Sequence, residues 1–320
     1  MLAPFMTLLT LFVTMIGGPA AAAFPDRPVT LIVPFAAGGS TDVTARMIAP
    51  YIEKNLHAGA RVVVSNIQGG GGDVGFATIS GAIPDGHTIG FINTPSFLTI
   101  PLERQARFDP KLFDPLVAIV DDPSTVVVPA GSAIATPVDL VAFARTTPQK
   151  ASFATTGVGS DEQLSMLKLQ ELGGVRFVHI PFPGGAHIYR ALRNGNVMVA
   201  GMNLSEALRA REEGRITILG QMSRNRHPVA PDLPTFREMG FDIAMGAMRG
   251  IAAPRGLPDD VRQVLVDAIT AAAADPDFQA KAKATYQPLR ILGPDAFADE
   301  LTAMDRDYRA LWAVSPWSDR

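Results

Sequence analysis

The stretch Val29 to Tyr51, VTLIVPFAAGGSTDVTARMIAPY, constrains this chain more than any other. It reads as strand, loop and helix. The apolar run Val29 to Phe35 is short and rich in β-branched residues, as a buried strand requires, and Gly38-Gly39 breaks it before a helical pattern begins. Ser40 or Thr41 can cap that helix, and the two glycines let a ligand reach the backbone with no Cβ in the way. Unpaired amides and the positive end of the helix dipole together make such a turn suit an anion. Asp42 is the awkward residue, because a carboxylate in the first helical turn repels a bound anion. Capping its own amides fits it better than accepting from a ligand amine or a bridging water.

Composition bounds what this loop can belong to. With 320 residues and 47% hydrophobic content the chain has core enough for two ordinary domains or one large one. The formal charge of −3 comes with no basic stripe, which argues against a nucleic-acid partner. There is no cysteine, so disulfides, thiolate metal sites and a cysteine nucleophile are excluded. Residues 1–23 carry no charged side chain, contain the apolar core LLTLFVTMIGG and end in an alanine run. They read as a cleaved signal peptide in preference to a retained anchor, which implies export.

Beyond the opening unit, strand-like and helix-like patterns alternate, the mark of α/β architecture. Strands are expected at Arg61 to Ser65, Thr88 to Asn93, Thr125 to Pro129, Ala151 to Thr155, Phe177 to Pro181, Val197 to Met202 and Ile216 to Gln221. Proline and aspartate punctuate Phe108 to Pro123, which reads as a connection, and the final third reads as mostly helical. Thr136-Pro137-Val138-Asp139 opens a helix, and Ser160-Asp161-Glu162-Gln163 reads as a capping box before another. The first domain crossing is expected near Pro123. The divisions are 24–123 with 221–320 as a discontinuous domain I, and 124–220 as domain II.

Gly70 to Gly75, GGGDVG, matches the dinucleotide pattern, but Asn66-Ile67-Gln68-Gly69 separates it from its strand and no acidic residue ends the next strand at Asn93. An ordinary loop is the better reading. His57, His87, His179, His187 and His227 lack metal-ligand spacing, and neither a nucleophile elbow nor a phosphate-binding loop is present. No catalytic machinery, cofactor or metal site is expected. The loops at Gly157 to Ser160 and Pro181 to Ala186 offer backbone donors like those of the first loop, and together they point to a ligand held between two domains.

Several spaced motifs carry a family resemblance: PFAAGGSTDVTARMIAP, the glycine segment Asn66 to Gly75, Pro84-Asp85-Gly86-His87-Thr88, Gly157 to Ser160, His179-Ile180-Pro181-Phe182 and Leu233-Pro234-Thr235-Phe236. Taken together they resemble the tripartite tricarboxylate transporter substrate-binding proteins, the Bug or TctC family, over nearly the whole chain after residue 23. The resemblance implies a monomeric periplasmic receptor, not an enzyme, with a two-domain Venus-flytrap fold of the periplasmic-binding-protein type and crossover hinge strands. Such a receptor clamps a small organic carboxylate and delivers it to membrane permease subunits. A signalling partner in place of the permease, or a dinucleotide enzyme using Gly70 to Gly75, are the other readings.

Carried over to this chain, the family's first binding loop falls on Phe35, Ala37, Gly38, Gly39, Ser40, Thr41 and Asp42, with Asn93 and Thr94 added from a strand end. The second-domain loops fall on Thr156, Gly157, Gly159 and Ser160, and on Phe182, Gly184, Gly185 and Ala186. The chain departs from the family pattern at Ala36-Ala37, Gln163, Phe182-Pro183-Gly184, Met198 and around Met248-Arg249-Gly250. Those departures imply a more apolar lining and a different side group on the carboxylate.

Overall fold

The computed structural model describes residues 24–317 apart from Ala58, so the signal-peptide reading of residues 1–23 lies outside the described residues. In chain order the strands and helices are β1 (Val29–Val33), α1 (Ser40–Asn55), β2 (Val62–Asn66), α2 (Asp73–Ser80), β3 (Thr88–Asn93), α3 (Ser96–Glu103) and β4 (Phe113–Pro129). There follow α4 (Pro137–Thr146), β5 (Ser152–Thr155), α5 (Asp161–Gly173), β6 (Val178–Pro181), α6 (Gly185–Arg193), β7 (Val199–Asn203), α7 (Leu204–Glu212) and β8 (Ile216–Gln221). The chain ends with β9 (Gly246–Pro254), α8 (Asp259–Ala274), α9 (Pro276–Ala284), β10 (Leu289–Leu292) and α10 (Pro294–Val314).

Two sheets share one long strand. In the first, β1 lies parallel between β2 and β3, β3 pairs antiparallel with β9, and β9 pairs antiparallel with β4 from Phe113 to Pro123. β10 joins the same half of β4. From Ser124 onward β4 changes partners, taking β7 and β8 antiparallel, and the second sheet continues through β5 to β6 in parallel. Each sheet is buried on both faces. On the first, α1, α8 and α9 cover one side with Ile48, Ile52, Leu265 and Phe278, while α2, α3 and α10 cover the other with Phe76, Phe97 and Phe297. On the second, α4 and α5 pack Leu140 and Leu169 against one side, and α6 and α7 pack Ile188 and Leu208 against the other. Two-sided cover is what parallel βαβ units impose, because each crossover helix must lie on a face.

Two elements depart from the expected pattern for physical reasons. Phe108 to Pro123 is not a connection: from Phe113 it is the first part of β4. Pro115 lies at a register shift, and Pro123 stands where β9 gives way to β7 and β8, places where a strand tolerates a residue with no N–H. The final third is not only helical either. Gly246–Pro254, GAMRGIAAP, is a central strand buried almost throughout, so it shows no polar alternation by which to recognise it.

Candidate functional site

The parallel strands β1, β3, β5 and β6 all run out toward one interior cavity, the position where open α/β sheets place their ligands. It has a volume of about 50 Å³. Its wall takes Phe35, Ala36, Gly39, Ser40 and Thr41 from the β1–α1 turn, and Asn93, Thr94 and Ser96 from the end of β3 and the start of α3. The second sheet contributes Thr156 from the β5–α5 turn, Asp161 and Glu162 from the first turn of α5, Gly184, Gly185 and Ala186 at the start of α6, and Asn203 and Glu206 at the start of α7, and the first sheet adds Ala247 on β9.

Helix starts therefore dominate the wall. α1 and α6 are each preceded by a glycine, Gly39 and Gly184, and neither receives a side-chain cap. The first amides of a helix have no intrahelical acceptor, so those of Thr41, Gly185 and Ala186 are available toward the cavity. Side-chain caps are present on α4 from Thr136, on α5 from Ser160 and on α9 from Asp275, while α2, α3, α7, α8 and α10 have none either. The expected cap on α1 from Ser40 or Thr41 is absent because the helix begins one residue earlier than that, with Ser40 already its first residue. Instead the Ser40 amide donates to Glu206 Oε1 at 2.7 Å, a bond from the helix of one sheet to the helix of the other. A side chain at Gly185 would place its Cβ 2.5 Å from Glu206 Oε2, so only glycine lets that carboxylate settle against α6.

A buried polar chain supports this wall. Asn93 donates to Thr41 Oγ1 at 2.7 Å, and its own Oδ1 has no partner. Thr156 Oγ1 donates to Glu162 Oε2 at 2.6 Å. Asp161 accepts from Ser124 Oγ at 2.5 Å and from Asn203 at 2.7 Å. Asn203 Oδ1 accepts from Arg249 at 2.6 Å, and the other arm of Arg249 pairs with Asp122 at 2.8 Å, both side chains almost fully buried. Burial pushes the Glu162 carboxyl up to about 8, with the neighbouring charge of Asp161 adding to the effect. Burial also raises Asp161, to about 6, against the opposing bonds from Ser124 and Asn203 and the charge of Arg249.

Of the residues the sequence singled out, the cavity wall holds Phe35, Gly39, Ser40, Thr41, Asn93, Thr94, Thr156, Gly184, Gly185 and Ala186. Ala37, Gly38, Asp42, Gly157, Gly159, Ser160 and Phe182 are not part of it. Asp42 points back into its own loop, accepting from the Gly38 amide at 2.9 Å, from Arg46 and from Asn66. Burial alone would raise its pKa, but those donors outweigh it and hold the carboxyl below its ordinary value. Gly159 donates to Gln163 Oε1 at 2.6 Å and Ser160 accepts from the Gln163 amide, so Gln163 reaches one residue beyond the expected box. Ala36, Ser96, Asp161, Glu162, Asn203, Glu206 and Ala247 were not singled out as site residues. Asp161 and Glu162 were legible only as first-turn acids, and Glu206 lies on a helix the sequence pattern did not disclose.

The glycine run near α2 is spent internally. The Gly72 and Val74 amides both donate to the Gly69 carbonyl, and Arg104 donates to the Gly70 carbonyl. Among the described residues no group of three or more His, Asp or Glu side chains is placed to hold a metal ion, and no helix is long and apolar enough to cross a membrane.

Two α/β domains sharing a long strand, with helix N-termini converging on an interior cleft, define the class: a periplasmic-binding-protein fold. Within that class the chain belongs to the tripartite tricarboxylate transporter family receptors, whose family model matches residues 44–288. A curated relative, the UPF0065 protein in the tcbD-tcbE intergenic region of Pseudomonas sp. strain P51, is 33% identical over 261 residues, covering 80% of this chain and 76% of its own. The structure of the periplasmic binding protein BugD superposes with a TM-score of 0.85 at 29% identity, covering 93% of this chain and 100% of that one. MatC from Rhodopseudomonas palustris with bound malate gives 0.82 at 26% identity over 89% of this chain and 98% of its own. Rpa4515 of the same organism with adipate gives 0.85 at 26% identity over 91% and 97%.

Proposed function

We propose that this protein is a periplasmic receptor that binds a small organic carboxylate in the cavity between its two lobes and delivers it to a tripartite tricarboxylate-type permease. The observation that carries the reading is the pair of glycine-started helices, α1 and α6, whose first turns line one cavity and whose glycine cap residues supply no side-chain cap, leaving the Thr41, Gly185 and Ala186 amides for a ligand beside the Ser40 amide that Glu206 holds. Amides at helix starts bind carboxylates by direct hydrogen bonds and by the helix dipole. The malate- and adipate-bound relatives support the same ligand class.

In this reading the lobes divide within β4 near Pro123 and Ser124, and again between Gln221 and Gly246, and residues 1–23 direct export and are removed. A carboxylate contacting α1 from one lobe and α6 from the other makes its full set of bonds only when the lobes are closed, so it shifts the population toward closure. The permease then distinguishes closed receptor from open. Thr41, Thr94 and Thr156 supply hydroxyls beside the amides. Thermal denaturation of the purified protein against a panel of carboxylates and nucleotides tests the reading. A bound carboxylate at a hundred times its Kd adds about 2.7 kcal/mol to the folded state and raises Tm accordingly. A response to nucleotides with none to carboxylates contradicts it.

A further inference from the structure

Beyond the cavity, one side of α7 forms a seam with the first lobe. Glu206, Arg209 and Glu212 recur at intervals of three, so they lie on neighbouring turns of one side of the helix. Each meets a different part of that lobe. Glu206 accepts from the Ser40 amide of α1, Arg209 donates to the Thr285 carbonyl at 3.3 Å, and Glu212 accepts from the Tyr286 hydroxyl at 2.5 Å. Only Glu206 of the three lines the cavity. The other two carry the contact outward, to the turn that joins α9 to β10.

The residue at that turn is not the one its backbone calls for. The Gln287 amide donates to the Ala282 carbonyl at 2.8 Å and the Tyr286 amide to the Lys283 carbonyl at 3.2 Å, the paired bonds that end a helix through a left-handed residue. Glycine or asparagine ordinarily takes that place, because a larger side chain is strained there. Here it is Tyr286, at φ +58°, and no other non-glycine residue among those described has a positive φ. The turn is fixed to the first lobe by Gln287, 3% exposed, which accepts from Thr44 of α1 at 2.8 Å. The Tyr286 ring instead packs against the apolar cluster beneath α6 and α7 on the second sheet. Its side chain thus does what neither glycine nor asparagine could, and the strain is kept for a contact with the other lobe.

We propose that Tyr286 is a latch, a positioning residue that never touches the ligand and sets how firmly it is held, docked on Glu212 and α7 when the lobes are closed and released when they open. This rests on the two-lobe receptor reading and adds to it the residue that weights the closed state. Apparent affinity scales with the fraction of molecules already closed, so loss of the latch weakens binding without removing any ligand contact.

The chain has no cysteine, so a spin label can be placed on each lobe at a single new one. Ala280→Cys on α9 and Asn194→Cys after α6, both exposed, make the pair, and pulsed dipolar spectroscopy reads their separation with and without malate, succinate and adipate. Tyr286→Asn keeps the helix end and removes the latch, whereas Tyr286→Phe removes only the hydroxyl. In Tyr286→Asn the ratio of closed to open protein is expected to fall about tenfold, and in Tyr286→Phe about threefold, the scale of one hydrogen bond to a charged group and a part of it. Affinity for an acid that closes the parent protein falls by up to the same factor, through faster dissociation, while the Tm of the ligand-free protein holds or rises. Separations that are the same in Tyr286→Asn as in the parent, with and without acid, overturn the proposal whatever the Tm does, and leave the receptor reading standing where an acid closes the parent. If no acid moves the parent while Tyr286→Asn still opens it, the receptor reading falls and the latch stands.

Discussion

Glu162 is held where an ionised carboxylate has poor company: it is buried, Asp161 stands beside it, and its bonded partner is the neutral hydroxyl of Thr156. Its folded pKa of about 8 lies above the ordinary 4.5. Below pH about 4 the group is neutral in the folded and unfolded chain alike, so it costs nothing. From there to about 8 the unfolded chain has released the proton and the folded chain still holds it, so stability falls as pH rises. Asp161, raised to about 6, adds to the slope over the lower part of the window. Urea denaturation of Glu162→Gln is therefore expected to give a flatter dependence of stability on pH between about 5 and 8 than the parent protein. Parallel curves for the two would contradict the placement. Neither acid was legible as a site residue. In the sequence they are a helix's first turn, where acids are ordinary, and only the fold turns that turn toward a cavity.

At the scale of elements, the β1–α1 unit was readable because everything that makes it is local: a β-branched run, two glycines and a helical period. The first part of β4 and all of β9 were not, since a central strand with proline at its register shifts or with glycine and alanine throughout is stabilised by its neighbours alone, whereas the second part of β4 was expected at Thr125 to Pro129. α3 and α5 meet by another route invisible in the sequence. Thr99 donates to the Gly159 carbonyl at 2.8 Å, Trp317 donates to Glu103 at 3.0 Å, and the Trp317 carbonyl accepts from Gln163 at 3.4 Å. Gly159, at φ +74°, is the residue that lets them approach, because a Cβ there would lie 1.9 Å from Glu103 Oε1 and 2.5 Å from Thr99 Oγ1. Thus Gly159, one of the residues expected at the ligand, admits a contact between the helix layers of the two sheets. Trp317→Ala, removing a side chain that is 3% exposed, is expected to destabilise by about 3–5 kcal/mol, read from urea denaturation. A loss under about 1 kcal/mol would mean that the segment after α10 is not part of the packed structure.

For the whole molecule, one strand passes from the first sheet to the second and the cavity lies between them, so in the proposed reading ligand binding and lobe closure are a single event. The large features of this arrangement follow from the alternation of strand and helix along the chain, whereas the chemistry inside the cavity depends on which residues distant in sequence end up facing each other. Glu206 on Ser40 is the clearest instance, two residues 166 positions apart that are joined by a hydrogen bond. The central claim is that the start of α1 receives a ligand carboxylate, and Gly39→Val tests it most directly. Gly39 has φ −76°, and a Cβ there meets only the Ala36 carbonyl at 3.6 Å and Glu206 at 3.8 Å, so the fold accepts valine while its methyl groups enter the anion's place. Calorimetric titration with the acid that gives the largest thermal shift should show one site per chain in the parent protein and at least about a hundredfold weaker binding in Gly39→Val, equivalent to losing two charged hydrogen bonds. Unchanged affinity in a folded Gly39→Val protein would place the ligand elsewhere and contradict the account.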